Sequence, residues 1–220
     1  MKRLWVNGDS HTYGSYGPTP QDRVANPFAE QIADRLDLEY KNIALPGGSN
    51  QRIVRTTIEE LPFLKPREDF ILIGWTSWER TEWWLNNHWN QICGDPGYAI
   101  PHFYKDKIKS GEDYNELWRC SKEQEHSIWV LHKLLDNLGF RFLFYLACAH
   151  PFHWKSDQHN EGKAQWKINS WAHDPYAEEG FSYYSESQGY QKDSLWHYGQ
   201  EAHNDYADVL LPIVKRNLGL

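Results

Sequence analysis

Short, almost wholly apolar runs alternate along the chain with longer stretches of helical period. Arg3–Asn7 places Leu4, Trp5 and Val6 side by side directly ahead of Gly8-Asp9-Ser10. A buried parallel strand hands over to a functional turn in this way at its carboxyl end. Asn26-Pro27 followed by Phe28, Ile32, Ala33 and Leu36 predicts a first helix, capped by Asn26 with Pro27 in its first turn. Residues 40–44 form a second short strand that Pro46-Gly47-Gly48 breaks, and Ser49 or Asn50 caps a helix over residues 50–64 carrying Ile53, Ile58 and Leu61. Residues 70–74 are apolar throughout, the pattern of a central strand buried on both faces. Ser121 with Glu125, then Ile128, Leu131, Leu134, Leu135 and Leu138 ahead of Gly139, predicts the strongest helix. A strand over 140–148 and an amphipathic helix over 200–217, with Ala207, Leu210, Leu211 and Val214, complete the pattern. The alternation predicts a single α/β domain over 1–220 with a parallel sheet of four to five strands. Periodicity fails twice, over about 78–120, where short helical pieces are expected, and over 149–192.

Both irregular stretches are rich in aromatics, and the chain holds 12 Trp and 13 Tyr in 220 residues. Exposed indoles stack on sugar rings or enclose acyl groups, whereas buried ones build a satellite core under long loops, so the two insertions admit either use. The net charge of -7 is spread over interspersed charges with no basic stripe, and nucleic acid is not an expected partner. The longest apolar run, residues 142–149, is too short to cross a bilayer, so no membrane partner is expected either. Met1-Lys2-Arg3 runs at once into Asn7, Gly8 and Asp9 without a signal-peptide core, and Cys93, Cys120 and Cys148 are odd in number and far apart. A cytoplasmic location follows as the expectation. His150, His153, Asp157 and His159 cluster in sequence without the i, i+4 histidine spacing of a helical zinc motif. They are read as a loop, and neither metal nor other cofactor is expected.

Ser10 is the first candidate for chemistry. A serine just past the first strand of a parallel sheet lies at the carboxyl edge where open α/β sheets build their sites, and a helix starting there can aim N–H groups at a developing oxyanion. The plain alternative is a turn in which Asp9 or Ser10 only caps a helix. His11, next in the chain, diverges from Ser10 in direction and is read as a wall of the site.

Four blocks in order give the chain its resemblance to the SGNH, or GDSL, hydrolase family. They are Gly8-Asp9-Ser10, Asn42-Ile43-Ala44-Leu45-Pro46-Gly47, Ile73-Gly74-Trp75-Thr76-Ser77 and Asp193-Ser194-Leu195-Trp196-His197, the last followed by His203 and Ala207. The resemblance implies a three-layer α/β/α sandwich with a flavodoxin-like sheet and a cofactor-free serine esterase. It implies Ser10 as nucleophile, His197 as base and Asp193 as the acid orienting it. It implies an oxyanion hole of the Ser10 and Gly47 amides with Thr76, which stands where the family has an asparagine; the hydroxyl of Thr76 or Ser77, or the Asn50 amide, is the substitute donor. Asp193 precedes His197 by four residues where the family has three. The Gly74-Trp75-Thr76 variant resembles a bacteriophage-encoded subgroup, which would make the protein virion-associated. Trp75, Trp78, His11 and Asn50 are the expected substrate-binding residues, and a small-molecule or glycan ester, with a carbohydrate O-acetyl group as first choice, is the expected substrate. The alternative is a catalytically weak or inactive SGNH-fold protein that binds glycan or protein.

Overall fold

The computed structural model describes residues 1–19, 21–77, 80–85, 88–92, 114–148, 166–167, 169–174 and 179–220. Side chains are described for all of these except 83–85, 88, 90–92 and 114–121. Four parallel strands form the sheet: β1 (Arg3–Asn7), β2 (Glu39–Asn42), β3 (Asp69–Trp75) and, after a separate hairpin of β4 (Thr81–Leu85) and β5 (His88–Ile92), β6 (Arg141–Leu146). Their order is β2-β1-β3-β6. The register pairs Trp5 with both Lys41 and Ile71, and Ile71 with Phe142. Beyond β6 a single parallel bridge from Phe144 to Trp171 extends the sheet by one residue pair.

Side-chain alternation along each strand divides the interior into two layers. Leu4 and Val6, Phe70 and Leu72, and Leu143 and Tyr145 face one way. They pack on α2 (Phe28–Arg35) and on two later helices, α5 (Phe181–Ser187) and α6 (Gln200–Leu218), through Phe28, Ile32, Phe181, Tyr206 and Leu210. Trp5, Ile71, Ile73, Trp75, Phe142 and Phe144 face the other way, onto Ile53 of α3 (Asn50–Glu60) and onto Ile128, Leu131 and Leu135 of α4 (Tyr114–Asn137). This is the expected three-layer α/β/α sandwich, and each of these side chains contributes on the order of 1.5–3 kcal/mol by leaving water.

Several local expectations change. The stretch expected to hold short helical pieces contains the antiparallel hairpin β4–β5, whose Trp84 pairs with Trp89. Helix α4 begins at Tyr114, before the expected Ser121 cap. Pro27, with extended backbone, takes the cap position of α2, while the Asn26 N–H is held by Gln200. Within 149–192 the chain forms α5 and lays Trp166 and Trp171 against the second layer of the core, the packing use of aromatics. No helix among the described residues is long and apolar enough to cross a membrane.

The strand order places the site. The chain goes from β1 outward to β2 and then crosses back to β3 on the other side of β1. The carboxyl ends of β1 and β3 therefore border the crevice where connections diverge, and that is where open α/β sheets bind ligands.

Candidate active site

β1 ends in Asn7, whose side chain is buried and accounts for both its ends. Its amide donates to the Ile53 carbonyl and to the hydroxyls of Thr56 and Thr57, while its oxygen accepts from the Gly8 N–H. The chain then turns into α1 (Ser10–Tyr13), with Asp9 as N-cap accepting from the N–H groups of His11 (3.0 Å) and Thr12 (3.4 Å). Among the described residues the Ser10 N–H has no hydrogen-bond partner, as an oxyanion donor requires. The short helix sits low on the sheet because Gly8 and Gly74 leave room for Thr12. A Cβ on either glycine would stand 2.2 Å from the Thr12 hydroxyl oxygen, which lies 2.6 Å from the Tyr145 hydroxyl.

The Gly47-Gly48 loop follows β2 and closes over the same turn. The Leu45 N–H donates to the Gly8 carbonyl, and a Cβ on Gly48 would come within 3.1 Å of that oxygen. Gly47 has φ 74°, which glycine adopts without strain. The loop expected to supply an oxyanion donor thus lies against the backbone just ahead of Ser10.

Thr76 and Asn50 are both brought to this edge, and both are occupied. The Thr76 hydroxyl donates to Asp9 Oδ2 at 2.8 Å, so its single hydrogen points at a carboxylate. Asn50 donates to the Thr76 carbonyl (2.9 Å) and to Gln124 Oε1 (2.7 Å) and accepts from the Thr76 N–H (2.9 Å). Asn50 is therefore a brace for the end of β3 rather than a substrate contact, and Thr76 a ligand of Asp9. Trp75 is also corrected: it shares a face with Ile71 and Ile73, is fully buried, and meets the Phe144 ring edge to face at 5.1 Å. A side chain enclosed in the core does not meet substrate. Trp78 and the histidine-rich loop at 150–159 lie outside the described residues.

The fourth block folds into a closed turn around Asp193. Its Oδ1 accepts from the N–H groups of Leu195 (2.8 Å) and His197 (2.9 Å), its Oδ2 accepts from the Gly17 N–H (2.8 Å), and its own N–H donates to the His197 carbonyl (2.9 Å). Within the turn Trp196 adopts φ 68° and stands 70% exposed. Burial raises the Asp193 pKa, but the three backbone donors outweigh it and hold the carboxyl below its ordinary value. Oδ2 lies 3.6 Å from His197 Nδ1, an ion-pair distance beyond a hydrogen bond.

His197 is buried, and its ring meets that of His11 at 5.4 Å in an edge-to-face arrangement. The residue after Ser10 and the expected base are thereby in direct contact. Desolvation lowers the His197 pKa, opposed by Asp193 and Asp9 and assisted by Arg80. The His11 imidazole, pushed by burial to about 4, stays neutral, and so does that of His203, pushed by burial to about 3 and stacked on Phe28. The His11 ring is set among those of His197, Phe181 and Tyr198.

Arg80 is the residue that sequence reasoning missed. Its guanidinium donates to Asp9 Oδ2 at 2.9 Å and lies 3.8 Å from the Cys148 sulfur. A lone arginine in an aperiodic stretch carries no signal of its own. Its partner is set by strand order, which places the ends of β1 and β3 side by side. Among the described residues no cluster of His, Cys, Asp and Glu is arranged to hold a metal ion.

No protein-family model matches the chain, and no curated protein matches it in sequence. Solved structures do. The psychrotrophic esterase EstA from Pseudoalteromonas sp., in a structure inhibited by monoethylphosphonate, aligns over 100% of both chains at 11% identity with a TM-score of 0.50. A carbohydrate esterase family 2 enzyme with a carbohydrate binding domain from Corynascus thermopiles (Myceliophthora fergusii) aligns over 100% of this chain and 67% of its own, at 11% identity and a TM-score of 0.52. A member of the lipolytic G-D-S-L family from Veillonella parvula aligns over 98% of this chain and 100% of its own, at 12% identity and a TM-score of 0.48. At such identities the likeness is one of architecture alone: the chain shares its α/β/α fold with these enzymes.

Proposed function

We propose that the protein is a serine esterase that transfers an acyl group from an ester to water. His197 takes the proton of the Ser10 hydroxyl, and Ser10 attacks the ester carbonyl. The alcohol leaves with the proton returned by His197, and water releases the acyl group from Ser10 with the same base. Asp193 orients the imidazole and stabilises its charged form, closing from 3.6 Å as positive charge develops on the ring. The oxyanion is held by the amides of Ser10 and Gly47, while Thr76 serves indirectly by binding the Asp9 carboxylate that caps the Ser10 helix.

The observation that carries this reading is the His11–His197 contact, which joins the first and fourth blocks at the crevice between β1 and β3. The substrate class proposed is a carbohydrate O-acyl ester, supported by the exposed Trp196 one residue before His197. A non-catalytic binding protein on the same fold is the second reading, and it draws on the occupied donors of Thr76 and Asn50. Hydrolysis of p-nitrophenyl acetate separates the two. Ser10→Ala and His197→Ala are each expected to lower kcat by ~10³-fold or more with the thermal midpoint near that of the wild type. Wild-type rates in either folded variant would remove the assignment.

A further inference from the structure

Neither the four sequence blocks nor the proposed reaction gives a role to Arg80, yet its guanidinium reaches the ends of three strands. It donates to Asp9 beyond β1, sits itself beyond β3, and approaches Cys148 beyond β6. Asp9 is fully buried and its carboxylate takes four donors: two backbone N–H groups of α1, the Thr76 hydroxyl and Arg80. Three of the four are neutral, and among the described residues Arg80 is the cation paired with Asp9.

We propose that Arg80 is a positioning residue of the site: by clamping Asp9 it fixes the turn that presents Ser10, and by neutralising Asp9 it keeps the neighbouring His197 imidazole free to accept a proton. The second half of this rests on the reading of His197 as base. The physical case is a balance of charges in a closed space. His197 faces Asp193 from its own loop, Asp9 from the β1–α1 turn, Arg80 from beyond β3, and the neutral imidazoles of His11 on α1 and His203 on α6. Lys192 lies over the rings of Trp196 and Tyr198 on either side of it. Asp193 and Asp9 both favour the imidazolium, whereas Arg80 opposes them. Without Arg80 the buried Asp9 carboxylate is an uncompensated anion beside two imidazoles, and both take up protons more readily.

The test uses the full chain and two readouts, the NMR titration of the His197 ring and the pH profile of kcat on p-nitrophenyl acetate. In Arg80→Gln the His197 titration and the acid limb of kcat are expected to move together to higher pH. At neutral pH kcat should fall by about tenfold with KM within about twofold of the wild type. Arg80→Lys, which keeps the charge, is expected to return the titration towards its wild-type position. Asp9→Asn, which keeps a capping side chain and removes the anion, is expected to shift it to lower pH. Should Arg80→Gln fail to fold, the Asp9→Asn shift carries the test. A His197 titration unmoved in Arg80→Gln or Asp9→Asn would overturn the proposal, leaving Arg80 as a strap. Because the titration needs no turnover, an inactive wild type would sink the esterase reading alone.

Discussion

β1 and β3 are joined at both of their ends by an Arg–Asp pair, and the two pairs do different things. At the amino edge Arg3 of β1 grips Asp69 of β3 through two hydrogen bonds of 2.9 and 2.8 Å, and Asp69 also accepts from the Lys65 N–H. At the carboxyl edge the polarity is reversed, with Asp9 following β1 and Arg80 following β3. The amino-edge pair leaves Arg3 partly in water, with Glu39, Glu60 and Lys65 as its charged neighbours, and it holds register. The carboxyl-edge pair has its carboxylate fully buried, a helix N-terminus on one side and two histidines on the other. The same two residue types thus serve as a fastener at one end of the strands and stand beside the candidate site at the other, in very different surroundings.

Acidification should separate the two edges most. His11 and His132, each pushed by burial to about 4, and His203, pushed by burial to about 3, stay neutral in the fold well below the ordinary histidine pKa of 6.5. Between those values the unfolded chain binds protons that the native chain refuses. Stability is therefore present above pH 6.5 and is lost as pH falls towards 4. Two of the three rings belong to the carboxyl-edge cluster. Thermal melts from pH 7.5 to pH 4.5 should show a midpoint that falls steadily, and a flat midpoint would mean these imidazoles are solvated. Next in size is Gly74→Ala, whose Cβ would stand 2.2 Å from the Thr12 hydroxyl and 2.4 Å from that of Tyr145. A loss of about 2–3 kcal/mol in urea unfolding is expected, with activity falling as α1 is displaced. The smallest effect belongs to the amino edge. Arg3→Met should cost about 1–2 kcal/mol, since Arg3 is partly exposed, and leave kcat and its pH profile unchanged. A change of kcat in Arg3→Met would erase the contrast between the edges.

How much of this was legible in the sequence follows from which forces are local. β1, β3 and β6 are continuous apolar runs, the Ser49 cap accepts from the Arg52 N–H, and Gly139 takes the left-handed conformation after α4, all written in short stretches of chain. Ser10 follows β1, Gly47 follows β2, and Asp193 and His197 lie in the turn ahead of α6, so each was singled out by its place beside an element. The hairpin β4–β5 was not. Adjacent Trp83 and Trp84 break the alternation that marks a strand, and the hairpin is tied to α3 by polar contacts, Glu82 with Arg55 and Thr81 with Gln51, rather than by an apolar pattern. Trp75 was readable and misread, since two-residue spacing puts it on the face of Ile71 and Ile73. The occupied donors of Thr76 and Asn50, and the whole role of Arg80, depend on partners fixed by strand order, which no local pattern carries.

The central claim, that Ser10 is a nucleophile activated by His197 at the β1–β3 crevice, is tested most directly by covalent labelling. Wild-type protein and His197→Ala are treated with a fluorophosphonate, and the modified residue is located by mass spectrometry. The account predicts one adduct on Ser10 in the wild type and a strongly reduced one in His197→Ala. An unlabelled wild type, an adduct on another residue, or equal labelling of Ser10 without His197 would contradict it.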